Sequence, residues 1–476
     1  MKIKSFTGLS VTLITLVFFS GACQYGSEKG SEEISWESVD GILKHIIAPE
    51  FPDKFFNVTD FEARGDGDNL STVAINSAIA KCSEEGGGIV LIPEGTFLTG
   101  AIHLKSNVNL HLSEGATLKF SRNHEDYLPI VFTRWEGTEL YNYSPFIYAY
   151  EQENIGVTGE GKLDGQSTSA HWWQWKGEWA RRTWEIGPEN QAASNAILRK
   201  MAEDGVPVEE RIFGPGHYLR PNFIQFYKCK NILMEGVTII NSPMWVIHPV
   251  LSENITISNI SVISHGPNND GCNPESSRNI LIQNSLFDTG DDCIAIKSGR
   301  NADGRRINMP SENIIVRGCT MRDGHGGVVM GSEISGNVRN IFAEDCIMDS
   351  PNLDRIIRIK TNSLRGGVIE NIFVRNINVG NVKQAILHID FDYEEGDAGE
   401  FTPEVKNIHL ENITSRSSER AVFIKAYERS PVDGVYIKNC KFNGVEKENQ
   451  INFIENLVLE NVYLNGKPWS SATSSN

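Results

Sequence analysis

The sequence has no CxxC motif and no closely spaced pair of cysteines, although it contains eight cysteines. Seven of them lie beyond the amino-terminal segment, an odd number at wide spacings: Cys82, Cys229, Cys272, Cys293, Cys319, Cys346 and Cys440. Disulfide frameworks use paired cysteines, and structural zinc sites use closely spaced ligands. Neither a disulfide framework nor a cysteine metal site is therefore indicated.

The sequence is also short of positive charge. Lys and Arg together number 44 against 61 Asp and Glu, which gives a formal net charge of −17. A surface with this excess of negative charge repels a phosphate backbone, so the composition argues against nucleic acid as a partner. An anionic substrate is not excluded, because a local group of cations overrides the net charge within a pocket.

Long apolar runs are missing except at the amino terminus. The apolar run from Val11 to Phe19 follows two lysines, so we interpret residues 1–22 as a signal peptide. The small residues before Cys23 resemble a bacterial lipobox, which predicts lipidation of Cys23; an ordinary signal peptide with an incidental cysteine is the alternative. Residues 23–50 are then a linker after the lipid anchor. We expect a secreted protein, either periplasmic or anchored to the outer membrane, without the roughly 18 apolar residues of a membrane span.

A short phrase repeats through the second half of the chain. In each copy, Asn is followed by an aliphatic residue, an alternating apolar run and a turn. The copies begin at Asn231, Asn254, Asn279, Asn313, Asn340, Asn371, Asn407 and Asn456. Alternation with period two indicates strands, and repeats of this length that cannot bury a face alone stack into a solenoid. The repeat predicts an all-β parallel β-helix in which the asparagines form a stacked ladder of amides.

The ends and decorations of the solenoid are visible in the same way. Residues 72–81 form an amphipathic stretch that predicts a short capping helix over the first coil. We expect one catalytic domain over residues 51–468, followed by a disordered tail at residues 469–476. Residues 171–216 break the repeat with a Trp-rich insertion, which fits either a buried helical insert or an aromatic surface for sugars.

Carboxyl groups are concentrated in two consecutive turns. PNNDG places Asp270 after one strand, and TGDDC places Asp291 and Asp292 at the equivalent turn one coil later. Adjacent parallel strands lie about 4.8 Å apart, so the three carboxyls are expected to converge. Hydrolysis of a glycosidic bond needs one protonated carboxyl and one ionised carboxylate. Crowding is expected to raise the pKa of at least one of the three.

The same register continues into later coils. His325 lies 33 residues after Asp292, Arg358 lies 33 after His325 with Lys360 beyond it, and Tyr393 lies 33 after Lys360. Surface salt bridges would also explain these cations. Their recurrence in register with the aspartates favours a site for an acidic sugar, whose carboxylate pairs with Arg and Lys.

Four motifs in order, NND, GDD, GHG and RIK followed by DYE, resemble glycoside hydrolase family 28, the polygalacturonase family. The similarity extends over residues 55–465 and includes DFEARGDG and SPMWVIHP. It implies a right-handed single-stranded parallel β-helix with loop insertions, a single displacement with inversion, and no metal or cofactor. Asn269 stands where the motif more often has Thr, next to a reacting group.

The resemblance also implies a role for each matching side chain. Asp291 is the general acid, while Asp270 and Asp292 position and deprotonate the water, and His325 supports the acid. Arg358 and Lys360 hold the carboxylate of the sugar beside the scissile bond, and Tyr393 packs against or hydrogen-bonds a ring.

These features predict a monomeric hydrolase of α-1,4-galacturonosyl linkages in homogalacturonan or its oligomers. A rhamnogalacturonan hydrolase, a calcium-dependent pectate lyase and a non-catalytic glycan-binding β-helix are the alternatives. The segment from Phe132, the Trp-rich insertion and residues 301–308 are long enough to close one end of a groove, which favours exo action over endo action.

Overall fold

The computed structural model describes residues 34–470, and these residues form a parallel β-helix. The predicted signal peptide, the lipidation site Cys23 and residues 471–476 of the predicted tail lie outside the described residues. Most coils contribute one strand to each of three sheets, and crossover connections between parallel strands are right-handed. The fold predicted from the repeats is therefore confirmed.

The first sheet contains the repeated Asn phrases. Its strands are Phe55–Asn57, Gly88–Ile92, Val108–Leu112, Glu153–Gly159, Lys230–Glu235, Glu253–Ser258, Arg278–Gln283, Ser311–Arg317, Val338–Glu344, Val368–Arg375, Glu404–Glu411, Val432–Lys438 and Ile454–Glu460. All of its pairings are parallel, and equivalent residues of successive repeats are opposite one another, as Ile280 is to Ile314.

The second sheet follows the first in each coil. Its strands are Asp66–Leu70, Gly95–Thr99, Ala116–Phe120, Lys162–Asp164, Thr238–Ile240, Ser261–Ser264, Leu286–Thr289, Thr320–Asp323, Ile347–Met348, Asn378–Asn381, Thr414–Ser417, Lys441–Phe442, Tyr463–Leu464 and Lys467–Pro468. The last strand pairs antiparallel and ends the ladder.

The third sheet consists of two blocks. The first block contains Ile102–His103, Ile147–Tyr150, Ile224–Tyr227 and Ile247–Val250; the second contains Ile294–Ile296, Val328–Gly331, Arg355–Lys360, Ala385–Asp390, Arg420–Lys425 and Gln450–Asn452. Single parallel bridges from Cys272 and Glu275 join the two blocks. The coil that contains Asp270 is therefore the irregular one within this sheet.

Four α-helices decorate the described residues: α1 (Ser38–Leu43), α2 (Thr72–Glu84), α3 (Ala192–Glu203) and α4 (Asn301–Ile307). Four 3₁₀ turns accompany them at Val58–Phe61, His124–Tyr127, Trp173–Lys176 and Val208–Glu210. Helix α2 buries Ile75, Ile79 and Cys82 against the first coils, where the capping helix was predicted. No helix among residues 34–470 combines the length and apolar content needed to cross a bilayer.

An asparagine ladder runs up the first sheet as predicted. At most steps the side-chain amide of an Asn donates to the side-chain oxygen of the Asn one coil before, as from Asn340 to Asn313 at 3.0 Å and from Asn371 to Asn340 at 2.9 Å. These residues have positive φ, near 59° at Asn340 and 61° at Asn371. Asn tolerates this left-handed conformation better than most residues, so one side chain satisfies both the turn and the stacking.

The interior of the coils is a continuous apolar stack. Isoleucine and valine dominate it, and all seven described cysteines are buried free thiols within it. Cys229, Cys319, Cys346 and Cys440 therefore occupy core positions of the repeat.

Residues 34–50 differ from the linker predicted for residues 23–50. Trp36 lies 5.5 Å from the ring of Phe342, and the guanidinium of Arg375 stacks on it at 3.9 Å. Farther along, the backbone of Ile47 exchanges hydrogen bonds with the side chain of Asn254, at 2.8 and 3.1 Å. This segment, which we call the strap, packs on the outer face of the first sheet because its aromatic and backbone groups find partners there.

The carboxyl-terminal end also remains ordered slightly beyond the predicted boundary. The backbone N–H of Trp469 donates to Val462 at 2.8 Å, and the Trp469 ring packs against the last coil. Trp469, assigned above to the tail, is therefore part of the folded chain.

Candidate active site

The predicted site residues come together at the connection between the second and third sheets. Asp270, the pair Asp291–Asp292 and His325 lie in this connection in three consecutive coils. Cys272, Ile294 and Val328 are paired across the third sheet, and the N–H of Gly271 donates to the carbonyl of Asp292 at 2.9 Å. The one-coil spacing inferred from the sequence is thus the spacing in the fold.

A glycine makes room for the central carboxylate. A Cβ atom on Gly326 would lie 2.5 Å from the side chain of Val329 and 3.4 Å from a carboxylate oxygen of Asp292. The glycines of the GHG motif therefore allow the coil that contains His325 to approach the aspartates closely.

Asp292 is buried and paired with two cations. Its carboxylate lies 2.6 Å from Nζ of Lys360 and 3.3 Å from the guanidinium of Arg358. Burial acts to raise its pKa, but the positive charges of Lys360 and Arg358 outweigh burial and hold the pKa below the usual value for Asp. Asp292 is therefore an ionised carboxylate, suited to accept a proton from water.

Asp291 and His325 form the more exposed pair. Nδ1 of His325 lies 3.0 Å from Oδ1 of Asp291, and the side chains are 34% and 18% exposed. The charge of Asp291 and this hydrogen bond raise the pKa of His325. Burial acts to raise the pKa of Asp291, but the positive charge of the His325 imidazolium outweighs burial and keeps the pKa of Asp291 low. In the ligand-free site the proton of this pair resides on the imidazole.

Asp270 retains a proton at neutral pH. The carboxyl is buried, accepts a hydrogen bond from Asn273 at 2.7 Å, and lies 3.7 Å from Nζ of Lys297. Burial and the negative charge of Asp291 raise the pKa of Asp270 to about 8 despite Lys297. Crowding thus raises the pKa of one of the three carboxyls, and that carboxyl is Asp270.

The ring of Tyr393 lies beside the two cations. It lies 5.4 Å from the guanidinium of Arg358 and 5.2 Å from Nζ of Lys360, within the range of cation–π attraction. The structure therefore brings all seven predicted site residues of the described chain into one cluster. In this state Arg358 and Lys360 pair with Asp292, and their contact with a sugar carboxylate remains a prediction.

A β-hairpin crosses the third sheet on the amino-terminal side of the aspartates. Its antiparallel strands are Val131–Trp135 and Thr138–Asn142. They lie in the connection that precedes the third-sheet strand Ile147–Tyr150. The tip of the hairpin reaches the far edge of the sheet, where the carbonyl of Gly137 accepts from the N–H of Arg300 at 3.1 Å. In the first strand of the hairpin, the guanidinium of Arg134 is buried and lies 2.9 Å from Glu275.

Helix α4 holds the hairpin from the opposite edge. The N–H of Glu139 donates to Asp303 at 2.8 Å, and Arg211 from the Trp-rich insertion pairs with the same carboxylate at 2.9 Å. Arg306 lies 2.6 Å from Glu139. The three decorations singled out in the sequence therefore form one barrier across the third sheet, which we call the wall.

The tryptophans of the insertion differ in burial, and a role in sugar stacking remains a prediction for the partly exposed ones. Trp172 and Trp175 are buried in the core, while Trp173 donates to the carbonyl of Ser242 at 2.8 Å. Trp179 and Trp184 stack on each other at 5.8 Å and remain partly exposed. Most of the aromatic content thus anchors the insertion.

One group of side chains has the composition of a metal site. Ligand atoms of His265, Asp288 and Asp323 lie within 4.8 Å of one another in the described part of the chain. The imidazole already pairs with both carboxylates, at 3.0 and 3.7 Å. These mutual ion pairs account for the arrangement of the three side chains.

Comparison with known proteins identifies the family. The profile described as glycosyl hydrolases family 28 matches residues 216–462, just over half of the chain and all of the catalytic coils. The chain belongs to glycosyl hydrolase family 28. A second profile, described as rhamnogalacturonase A/epimerase, pectate lyase-like, matches residues 55–122 of the first coils. As a member of family 28 the protein is a glycoside hydrolase.

Relatives of this family 28 hydrolase include a solved structure. The hyperthermoactive exopolygalacturonase of Thermotoga maritima is 47% identical, with 91% of this chain and 97% of that one covered and a TM-score of 0.88. A probable polygalacturonase of Vitis vinifera is 28% identical over 83% of this chain and 75% of that protein. The exo-poly-alpha-D-galacturonosidase of Dickeya chrysanthemi is 27% identical over 89% of this chain and 74% of that protein.

Three further charged residues of this family 28 hydrolase were not found from the sequence. Nζ of Lys297 lies 3.0 Å from Glu333 and 4.5 Å above the ring of Trp245, and Arg300 lies 3.3 Å from Glu333. Lys297 thereby links Asp270 to a buried carboxylate. Lys297 follows directly on the strand Ile294–Ile296, and its Nζ donates to the carbonyl of Gly331, which pairs with Lys360 in the third sheet.

Proposed function

We propose that this enzyme hydrolyses α-1,4-galacturonosyl linkages of homogalacturonan or its oligomers, one galacturonate at a time from a chain end. The observation that carries the proposal is the position of the wall next to an acid–base cluster that is rich in cations. The exo activities named for the Thermotoga maritima and Dickeya chrysanthemi relatives support the same assignment.

The roles follow from exposure and charge. Asp291 is the most exposed of the three carboxyls and protonates the leaving glycosidic oxygen. Asp292, kept ionised by Lys360 and Arg358, removes a proton from water with Asp270 beside it. Acid and base on separate carboxyls allow water to attack as the bond to the leaving oxygen breaks, so we infer a single displacement with inversion at the anomeric carbon.

The substrate itself sets the protonation state of Asp291. The positive charges of Lys360 and Arg358 help to keep the pKa of Asp291 low in the free enzyme. A uronate carboxylate bound by these cations offsets their charge, so the pKa of Asp291 rises when substrate binds. Asp270 and His325 are the neighbours that hold a proton to supply, and the acid therefore becomes active when an anionic sugar is present.

Exo action follows from the wall. The hairpin spans the third sheet from one edge to the other and is fastened at its tip to Arg300 and α4. A polysaccharide chain lying across successive coils cannot continue through this barrier. Substrate sugars on the amino-terminal side of the scissile bond are therefore limited to the short space in front of the wall.

The other candidate functions have weaker support. A pectate lyase uses a basic residue as the base and typically calcium, whereas here Arg358 and Lys360 are both paired with Asp292, beside three carboxyls and an imidazole that can transfer protons. A binding solenoid has no use for a buried carboxyl whose pKa is about 8. A rhamnogalacturonan hydrolase would use the same acid–base cluster, and only the polysaccharide that is cleaved distinguishes it from a polygalacturonase.

The test uses de-esterified polygalacturonic acid, with reducing ends and ultraviolet absorbance recorded together. Hydrolysis increases the number of reducing ends without absorbance, whereas elimination produces an absorbing unsaturated product. If polygalacturonic acid gives neither signal and rhamnogalacturonan is cleaved, the proposed substrate is replaced by rhamnogalacturonan.

We also propose that the enzyme acts outside the cytoplasm as a monomeric lipoprotein anchored through Cys23. The apolar run and the small residues that precede Cys23 support this proposal. Mass spectrometry of the mature amino terminus tests it: a diacylglyceryl group on Cys23 is expected, and cleavage elsewhere with a free amino terminus would reject the anchor.

A further inference from the structure

Lys176 is a cation without a partner next to the catalytic cluster. It ends the 3₁₀ turn Trp173–Lys176 of the Trp-rich insertion. Among residues 34–470, no side chain or carbonyl lies within hydrogen-bonding or ion-pairing distance of its ammonium group in this structure. Burial lowers the pKa of Lys176, and the negative charges of Glu136 and Asp291 act in the opposite direction. Its ammonium is thus close enough to sense the catalytic acid.

The neighbours of Lys176 are fixed to the loop that contains Asp270. Trp173 donates to Ser242 at 2.8 Å, and its indole packs so closely on Gly266 that a Cβ atom there would lie 2.2 Å away. The carbonyl of Trp175 accepts from the N–H of Gln191 at 2.7 Å. The turn that contains Lys176 is therefore held against the catalytic loop from both sides.

A buried guanidinium joins these contacts to the catalytic motif. Arg220 donates to the side chain of Gln191 at 3.0 Å and to Asn268 of the NND motif at 2.8 Å. It also donates to the carbonyls of Pro243 and Pro267, at 2.9 and 2.7 Å. Lys176 thus occupies a defined position relative to Asp270, on the side of the wall.

The other charges around Lys176 already have partners. Glu136, at the tip of the hairpin, pairs with Arg199 at 3.1 Å, and Asp291 pairs with His325 at 3.0 Å. Lys176 is partly buried, and a partly dehydrated ammonium without a protein partner gains from an anion that binds beside it. Lys176 also borders a cavity of about 360 Å³ whose lining includes Asn190, Asn195 and Glu178, and the carboxylate of Glu178 is already paired with Arg182 at 2.9 Å. The position therefore favours an anion supplied by the substrate.

We propose that Lys176 determines specificity by binding the carboxylate of the chain-end galacturonate, on the wall side of the scissile bond. The inference rests on the proposed function and adds a residue for that sugar. Arg358 and Lys360 lie on a later coil, on the opposite side of the aspartates, and are occupied by Asp292. Lys176 therefore binds the sugar between the wall and the scissile bond, and Arg358 and Lys360 bind the sugar on the other side of that bond.

Lys176→Met removes the charge and keeps the length of the side chain. Loss of one charge-assisted contact is expected to raise KM for trigalacturonate about 10- to 100-fold with a much smaller change in kcat. Galacturonic acid binding, measured by calorimetry, is expected to weaken by a similar factor, while the already weak binding of galactose, which lacks the carboxylate, is unchanged. Lys176→Arg is expected to restore most of the affinity for galacturonic acid.

Lys200→Met is the matched control, because Lys200 lies on α3 of the same insertion, is exposed and pairs only with Asp204. Its kinetics are expected to equal those of the wild type. If Lys176→Met fails to fold, as judged by its thermal unfolding, Lys176→Gln takes its place. Unchanged affinity for galacturonic acid, or an equal loss for galacturonic acid and galactose, would overturn the proposal. Absence of trigalacturonate hydrolysis by the wild type would instead reject the proposed function.

Discussion

At the scale of single residues, the site distributes two protons among four groups that lie next to one another. Asp292 is ionised because two cations touch it, Asp270 is protonated because it is buried beside other carboxyls, and His325 carries the proton that it shares with Asp291. These protonation states describe the four groups together, because the charge of each group depends on the charges of its neighbours.

Asp291→Asn is expected to reduce kcat on oligogalacturonides by a factor on the order of 10² to 10⁴, because the amide cannot donate an acidic proton to the leaving oxygen. Folding is expected to persist, since the substitution preserves shape and removes a like charge from the carboxyl cluster. Kinetics and thermal unfolding measure the two effects. Asp204→Asn, an exposed change of the same chemistry, serves as the control, and activity near that of the control would remove Asp291 from the role of acid.

The raised pKa of Asp270 predicts how stability depends on pH. Its pKa is about 8 in the folded protein against an ordinary value of 3.8, so between these values the folded state binds more protons than the unfolded state. The contribution of Asp270 to the free energy of unfolding is therefore full below about pH 4 and falls as pH rises to about 8.

Asp270→Asn is expected to flatten this decline. The measurement is urea unfolding of the wild type and of Asp270→Asn between pH 5 and pH 8, with the difference in the free energy of unfolding plotted against pH. A difference that grows in favour of the variant as pH rises supports a buried protonated carboxyl. Parallel curves would mean that Asp270 is already ionised at pH 5.

At the scale of elements, the proposed action on chain ends depends on the hairpin. Gly137 at its tip has φ near 81°, and a Cβ atom there would lie 2.7 Å from the backbone nitrogen of Arg300. This close approach fastens the hairpin to the far edge of the third sheet. The hairpin tip is thus held by backbone contact, which a side chain would disrupt.

Gly137→Ala is expected to lift the tip from Arg300 and open the groove. The expected result is a several-fold rise in KM for oligogalacturonides and the early release of dimers or trimers from a longer oligomer, in addition to the monomer and the chain shortened by one unit. Gly187→Ala provides the comparison, because Gly187 is exposed and a Cβ atom there would meet no other atom within 4 Å. Early products limited to the monomer and the chain shortened by one unit in Gly137→Ala would show that the tip does not define the closed end.

The strap is a stabilising element without a part in the chemistry. Trp36 rests on the rings of Phe342 and Phe373 and under Arg375. Trp36→Ala is expected to lower the free energy of unfolding by about 1–3 kcal/mol through lost apolar and cation–π contact, with kcat unchanged. Chemical denaturation and kinetics test this, with exposed Glu37→Ala as the control. A fall in kcat without loss of stability would contradict it.

At the scale of the whole molecule, regularity decides what a sequence can predict. The Asn phrases, their alternation and the one-coil spacing of Asp270, Asp291 and His325 repeat, and these features predicted the solenoid and the convergence of the site. Lys297 was not predicted as a site residue, because it belongs to no motif. Only the alignment of the strand before it with the strands that contain Gly331 and Lys360 places it in the site.

Features made by single long-range contacts could not be predicted in this way. The strap depends on Trp36 meeting rings that lie more than 300 residues away, and nothing repeats in its sequence. The wall depends on Asp303, to which both Glu139 and Arg211 bind. The proton on Asp270 depends on burial that the sequence does not state. The sequence predicts which side chains meet, whereas their protonation depends on the packed site.

The most direct test of exo hydrolysis is the early product distribution from a single oligogalacturonide of defined length. The account predicts monomer together with chains one unit shorter than the substrate, reducing ends in equal number to the bonds broken, and no ultraviolet absorbance. A mixture of intermediate lengths at the first time points, or an unsaturated product, would contradict it.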